Sequence, residues 1–404
     1  MTAHQPSAAD VLDGFRYRTL GPVALYLGDA RQVLAAMPDG SVDCLVTSPP
    51  FWSLRDYGTG AWHDGEAACP HPVPARRRVD GARCRRCGAV WVDPQYGLEP
   101  TVEEYIDRLV AVFAQAHRVL APTGTCRLNV GDCYAGGARH AHQFGGDTGS
   151  GITASRALPG VRNGSPLPAK NLVGVPWRVA FALQATGQWW LRNAVVWAKT
   201  NPMPESVTDR LSATYELVFL LTRSARYYFD LDPIRLPLKH PDAADGTRIF
   251  GGVHKGRTGG VDATARRRGA TYGQPAAGKY QPDRTDARMR AHRGNLAVTG
   301  AAHTAAHVRG RNPGDVWILP TRPYRGAHTA PFPIDIPLRA IAAGCPPGGH
   351  VLDPFSGAGT TGMAALHLGR TYSGIDISPA FHDLALDRLT PHLPDTDPPP
   401  GGQR

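Results

Sequence analysis

Three groups of residues in this chain have types and spacings that could do chemistry. The first is "VTSPPFW", Val46 to Trp52, where three β-formers run into Pro49 and Pro50, which cannot continue a strand ladder. Phe51 and Trp52 then stand on a loop where no core requires them, beside the hydroxyl of Ser48. The second is "VLDPFSGAGTTGMAALHLGRTYSGIDIS", a strand, a glycine-rich turn, a helix and a second strand ending in an acid. Gly357, Gly359 and Gly362 satisfy G-x-G-x-x-G, the pattern used where backbone approaches a nucleotide cofactor at a helix N-terminus. Asp376 closes the following strand 17 residues after Gly359, where a carboxylate can accept hydrogen bonds from ribose hydroxyls. The third is "CPHPVPARRRVDGARCRRCGAVW": Cys69, His71, Cys84 and Cys87 supply the number and type of ligands of a closed tetrahedral zinc site, and Gly88 suits a tight knuckle. No strand and helix surround this C-x-x-C, which argues against a redox pair, and six nearby arginines make contact with DNA plausible for the insert.

These groups need elements to carry them. Short apolar runs at Ala24 to Leu27 and Val42 to Thr47 read as strands around a helical "ARQVLAAM". "TVEEYIDRLVAVFAQAHRVL" opens with a Thr101–Glu104 capping box and keeps helical periodicity, and "TCRLNV" reads as a strand. Helix "WRVAFALQATG" and strands "LRNAVVWAK" and "YELVFLLT" follow a glycine-rich loop. Later come helix "IDIPLRAIAAG", strand "HVLDPF", helix "TTGMAALHL", strand "YSGIDIS" and helix "PAFHDLALDRL". Strands alternating with helices predict an α/β doubly wound sheet. A dinucleotide enzyme would also use the glycine turn, but too few residues follow Asp376 for a second mononucleotide-binding half.

The chain has 404 residues, 42% of them hydrophobic, enough for a sizeable core. The N-terminus has no basic start followed by an apolar run, and no stretch reaches roughly 18 apolar residues, so neither secretion nor membrane insertion is expected. Seven cysteines, three of them within twenty residues, point away from a disulfide framework and toward a reducing cytoplasm. The net charge of +10 equals the excess in one segment, Pro233 to Asn312, where 15 Lys and Arg stand against 5 Asp. That segment has little apolar periodicity. It reads either as a solvated loop or as a surface for a polyanion, with Arg266, Arg267, Arg268 and Lys279 meeting phosphates and Tyr272, Tyr280 and His292 interspersed.

Taken together, "TSPPF", "VVWAKTNPMPESVTDRLSATYELVFLLTRSARYYFD", "HTAPFP" and "DPFSGAGTT", in this order, resemble the amino-methyltransferases of DNA that use S-adenosylmethionine, in the circularly permuted arrangement called the β class. The resemblance spans most of the chain outside the basic and cysteine-bearing segments. It implies a Rossmann-like, circularly permuted methyltransferase sheet in which Asp353, Phe355, Gly357 and Gly359 line the cofactor's methionine part, Thr360 also binds the cofactor and Asp376 holds its ribose. Asp29 in "LYLGDA" would contact the adenine end, and His328, Thr329 and Phe332 would close over the methionine. A sulfonium favours nearby carboxylates and aromatic faces, whereas a pyrophosphate would want basic groups. Ser48 and the Pro49 carbonyl would accept the two hydrogens of an exocyclic amino group and aim its lone pair, Pro50 would stiffen the loop, and Phe51 would stack on a flipped-out base.

The expected protein is therefore a site-specific methyltransferase of double-stranded DNA. Its catalytic domain covers 15–57, 96–230 and 313–390, with a zinc-binding insert at 58–95, a basic target-recognition region at 231–312 and a disordered tail at 391–404. No Pro-Cys dipeptide is present for the carbon-5 route, which leaves amino groups. Within the family resemblance, Ser48 with Phe51 points to cytosine N4, and adenine N6 is the alternative. A zinc-knuckle nucleic-acid-binding protein on a non-catalytic scaffold is the reading from another class. A restriction endonuclease acting on the same site would be the companion of such an enzyme.

Overall fold

The computed structural model describes residues 8–66, 68–71, 81–136, 165–238, 309–322 and 332–393. The chain divides into two compact units, Met1–Asp230 with Gly314–Arg404, and Leu231–Pro313.

The first unit is organised by one sheet. Its N-terminal part runs α1 (Ala8–Gly14), β1 (Arg16–Leu20), β2 (Val23–Leu27), α2 (Ala30–Ala36) and β3 (Val42–Thr47), then a small hairpin, β4 (Ala61–His63) with β5 (Val90–Val92). Next come α3 (Val102–Val119), β6 (Leu120–Val130), α4 (Val175–Ala185), β7 (Trp190–Lys199) and β8 (Tyr215–Thr222). After the second unit come β9 (Val316–Leu319), α5 (Asp335–Gly344), β10 (His350–Asp353), α6 (Thr360–His367), β11 (Thr371–Asp376) and α7 (Pro379–Leu389). Nine strands pair in the order β1-β2-β11-β10-β3-β6-β8-β7-β9. The five from β2 to β6 are mutually parallel, whereas β1 and β8 run against their neighbours.

Parallel strands covered on both faces should be apolar on both, and β3 is: five of its six residues are buried. On one face α2, α3 and α4 pack a core that includes Val33, Leu109, Phe113 and Leu183. On the other, α5, α6 and α7 pack Ile341, Ala364 and Leu389 against Val46 and Val351. Helix α3 shows why this holds locally. Tyr105, Leu109, Val112, Phe113 and Ala116 recur at helical spacing and are all buried, while the Thr101 hydroxyl accepts from the Glu104 N–H at 3.2 Å. Truncating Phe113 to Ala would cost about 3–5 kcal/mol.

Strand order decides where a ligand can sit. From β3 the chain moves through α3 to β6 on one side, and from β10 it moves through α6 to β11 on the other, so the connections diverge between adjacent β3 and β10. A crevice opens at such a switch point, at the carboxyl ends of the strands. The alternation predicted from sequence is present, but α1, β1, β4, β5 and β9 were not anticipated. β1 alternates weakly at an edge, and β4, β5 and β9 have only three or four residues each.

In the second unit, the Asp232–Ile234 turn and the segment 309–311 are held together. Leu236 and Arg311 exchange backbone hydrogen bonds of 3.0 and 2.8 Å, and Arg235 and Arg309 both pair with Asp232. Residues 394–404 of the predicted tail lie outside the described residues, and Thr390–His392 forms a 3-10 turn.

Candidate active site and metal centre

A cleft of about 1020 Å³ lies at the carboxyl ends of these strands. Its floor is a latch across the switch point. The Thr47 hydroxyl, ending β3, donates to Asp353 Oδ1 at 2.6 Å, and the Thr361 hydroxyl in α6 donates to Asp353 Oδ2 at 2.7 Å. The Phe355 N–H donates to Oδ1 at 3.1 Å. Asp353 is only 1% exposed. Burial pushes its carboxyl up to about 6, and these three donors hold it below what burial alone would give.

The glycine turn meets each demand of its pattern with a separate glycine. Gly357 has φ 47° and donates its N–H to Asp376 Oδ2 at 2.9 Å. Gly359, at φ 72°, is the N-cap of α6. At Gly362 a Cβ would lie 2.6 Å from the Tyr372 ring, so only glycine lets α6 lie against β11. Asp376 Oδ1 accepts from the Ser378 N–H at 2.9 Å. Its carboxyl is also pushed up to about 6, by burial first, with these backbone donors opposing. The Thr360 hydroxyl is 3.1 Å from Arg388 Nη1, and Phe332 and Phe355 line the cleft. Asp29 sits at the edge. Its Oδ1 caps α2 through the Gln32 N–H at 3.1 Å, and its Oδ2 accepts from Tyr96 at 3.1 Å, while its neighbours Gly28 and Ala30 line the cleft. Sequence reasoning missed Tyr57 and Phe381, which meet edge to face at 5.9 Å and line the cleft with Asp376. They come from segments without a motif, so only the fold brings them together.

The loop after β3 is held on all sides. The Ser48 hydroxyl lies 3.0 Å from Asn129 Oδ1. Asn129 Nδ2 lies 3.1 Å from both Glu216 Oε2 and the Leu217 carbonyl, and Lys199 Nζ pairs with Glu216 Oε1 at 2.6 Å. A carbonyl oxygen can only accept, so the amide NH₂ must face Leu217, the amide oxygen must face Ser48, and the Ser48 proton must be the one donated. The hydroxyl's lone pairs remain for another partner. The Pro50 carbonyl accepts from the Tyr105 hydroxyl at 2.9 Å, whereas among the described residues no group donates to the Pro49 carbonyl. The Phe51 ring lies against Gly131, where a Cβ would come within 2.5 Å of it. Trp52 corrects an expectation: it is 1% exposed, belongs to the main core and donates Nε1–H to the Glu99 carbonyl at 3.0 Å. The loop turns back inward after Phe51, so only one of its two rings faces the cleft.

Cys69, His71, Cys84 and Cys87 converge beside the β4–β5 hairpin. Their ligand atoms all lie within 4.8 Å of one another, with Cys69 Sγ 3.9 Å from Cys84 Sγ and His71 Nε2 3.1 Å from Cys87 Sγ. Two thiolates on one tetrahedral zinc would be about 3.8 Å apart, so the donor set and its spacing fit that ion. Gly88, at φ 77°, returns its N–H to the Cys84 carbonyl at 3.0 Å and closes the knuckle. Backbone N–H groups of Cys87 and Arg86 hold the Cys84 thiol down at about 6, and one from Ala89 lowers Cys87. Burial and the neighbouring thiols push Cys69 up to about 11. Behind the site His71 stacks on Trp62 at 4.9 Å.

His328 and Thr329, and the basic residues Arg266, Arg267, Arg268 and Lys279, lie outside the described residues. Among the described residues, no helix is long and apolar enough to cross a membrane.

The model of the DNA methylase family that includes N6 and N4 enzymes matches residues 42–387. The chain belongs to that family and is a DNA methyltransferase. Among its relatives, the Type II methyltransferase M.Cfr9I of Citrobacter freundii is 33% identical over 370 residues, covering 92% of this chain and 88% of its own length. M.XycI of Xanthomonas campestris pv. cyanopsidis, also a Type II methyltransferase, is 34% identical over 367 residues, covering 90% and 87%. Among solved structures, the cytosine-N4-specific PvuII DNA methyltransferase matches with a TM-score of 0.50 at 15% identity, covering 93% of this chain and 88% of that one, a likeness of fold.

Proposed function

We propose that this chain transfers a methyl group from S-adenosylmethionine to the N4 amino group of a cytosine flipped out of double-stranded DNA. When bound, the cofactor supplies an electrophilic methyl group on a sulfonium sulfur. The cradle suits that cation: Asp353, Phe355 and Phe332 line one stretch of the cleft, and Asp376, held by two N–H donors, keeps lone pairs for ribose hydroxyls. Gly357, Gly359 and Thr360 would lie along the methionine, with Asp29 at the adenine end through its contact with Tyr96. His328 and Thr329 would close over the methionine from the neighbouring sequence.

The carrying observation is the orientation of Ser48. An exocyclic amino nitrogen is a poor nucleophile because its lone pair is delocalised into the ring. A Ser48 oxygen whose own proton is committed to Asn129 can only accept, and with the Pro49 carbonyl it forms a pair of acceptors for the two amino hydrogens. Those contacts draw the nitrogen toward tetrahedral geometry and aim its lone pair. Phe51 stacks on the base. Asn129 Oδ1 is an amide oxygen and not a base, so Ser48 orients the amino group, and the proton released after transfer passes to water.

Cytosine is favoured over adenine by Ser48 with Phe51, the pair that accompanies cytosine enzymes in the family resemblance. Adenine N6 would use the same acceptors. The base loop at the N-terminal end and the cofactor turn at the C-terminal end match the permuted β-class order. We assign a structural zinc to Cys69, His71, Cys84 and Cys87. Residues 231–312, with Arg266, Arg267, Arg268 and Lys279, would follow the DNA backbone, and the Type II names of the relatives suggest a partner endonuclease of the same site. The test is to treat DNA with the pure protein and S-adenosylmethionine, digest to nucleosides and identify the product by mass spectrometry. N4-methyl-2′-deoxycytidine is expected; N6-methyl-2′-deoxyadenosine alone would overturn the base assignment, and 5-methyl-2′-deoxycytidine the mechanism.

A further inference from the structure

The connection between β7 and β8, residues 200–214, is irregular yet braced along its length. Asn201 clasps Thr321 near one end: Oδ1 accepts from the Thr321 N–H at 2.7 Å, and Nδ2 donates to the Thr321 carbonyl at 3.2 Å. Glu205, largely enclosed, accepts from Arg210 Nη1 at 2.6 Å and from the Ala213 N–H at 3.3 Å. Arg210 also donates to the Leu211 carbonyl at 2.9 Å and lies 4.1 Å over the Tyr134 ring. Beside it, Lys170 Nζ donates to Asp209 at 2.5 Å.

A backbone held this way fixes which side chains point outward. Leu211 is 91% exposed, more than any other large apolar side chain among the described residues, and it lines the same cleft as Ser48 and Asp353. Met203 and Tyr215, each 54% exposed, also line that cleft, which concentrates apolar surface where duplex DNA must arrive. Single exposed leucines are ordinary. Near-complete exposure on a braced loop at the rim of a base-binding cleft is a narrower observation.

We propose that Leu211 is a wedge that enters the base stack as the target base is drawn into the cleft and fills the space the base leaves. This rests on the reading of the cleft as a site for a flipped base. Flipping separates two stacked neighbours and opens a gap walled by apolar base faces. An aliphatic side chain in that gap restores contact and excludes water, as apolar wedges do between base steps elsewhere. Leu211 has the shape for this, and the bracing means little ordering entropy is lost when it inserts.

The test uses the full chain and a duplex containing a sequence it methylates, found first by mapping modified positions in plasmid DNA treated with the wild type. Single-turnover rates of wild type and Leu211→Ala are compared on that duplex and on the same duplex with an abasic site opposite the target base, where no pair has to be broken. The expected loss for Leu211→Ala is at least tenfold on the paired duplex and under twofold on the abasic one, with Leu211→Met near wild type and cofactor binding unchanged. A loss on the paired duplex less than fivefold greater than on the abasic one overturns the wedge and leaves the methyltransferase reading standing. Absence of any methylation by the wild type would remove that reading, and the wedge with it.

Discussion

Asn129 holds Ser48 with the hydroxyl proton turned into the protein, Oγ to Oδ1 at 3.0 Å, because its own NH₂ is committed to the Leu217 carbonyl and Glu216. The acceptor character of Ser48 is thus set by a residue on β6 and locked by residues on β8. Asn129→Ala frees the hydroxyl to rotate. The single-turnover rate should fall about 10- to 100-fold, about 1–3 kcal/mol, with little change in the dissociation constant for S-adenosylmethionine. A variant that loses cofactor binding in parallel would show that Asn129 supports the fold of the cleft and not the orientation of Ser48.

Cofactor binding should depend on pH through Asp353 and Asp376, both pushed up to about 6 by burial. In the proposed site the ionised carboxylates would attract the sulfonium and accept from ribose, so binding would favour the deprotonated forms and release protons. Affinity should be constant above pH 7 and weaken as pH falls through about 6, approaching tenfold per unit for each group that must ionise. Calorimetric titration across pH 5 to 8 checks the sign. Asp376→Asn should weaken binding and flatten part of that dependence.

Protein purified without chelator should carry about one zinc per chain by elemental analysis, and Cys84→Ser should lose it and loosen the hairpin of β4 and β5. Because the core built by β3, α3 and β6 does not include the knuckle, the far-ultraviolet circular dichroism should be nearly preserved. Metal-free protein with an intact hairpin would count against a structural ion.

Replacing Arg266, Arg267 and Arg268 with Ala should weaken DNA binding at 0.1 M salt and make its salt dependence shallower. Three lost phosphate contacts correspond to a change of about 2.7 in the slope of log K against log salt. An unchanged slope would move the backbone contacts to other basic residues.

The strands and helices that carry the site were legible in the chain because their signals are local. Apolar runs mark β3, β8 and β10, the Thr101 cap and helical spacing mark α3, and three glycines with a following acid mark the turn between β10 and α6. The resemblance through "TSPPF" and "DPFSGAGTT" joined loops more than 300 residues apart, and in the structure Thr47 and Asp353 bond directly, at 2.6 Å. The convergence of Cys69, His71, Cys84 and Cys87 was legible too, because side chains of these types stand at short spacing along the chain.

What the sequence could not express is which distant side chains share a lone pair or a gap. Trp52 looked like a partner of Phe51, but whether a ring is core or site depends on the turn of backbone between two neighbours, and here it drives Trp52 inward. Asn129, Glu216 and Lys199 lie on three strands and carry no motif. Their alignment behind Ser48 follows from the pairing of β6 with β8 and of β8 with β7, since a one-residue slip in either register would turn their side chains to the opposite face of the sheet. Composition and spacing determined the class of chemistry; strand order and register decided the direction in which the Ser48 proton points.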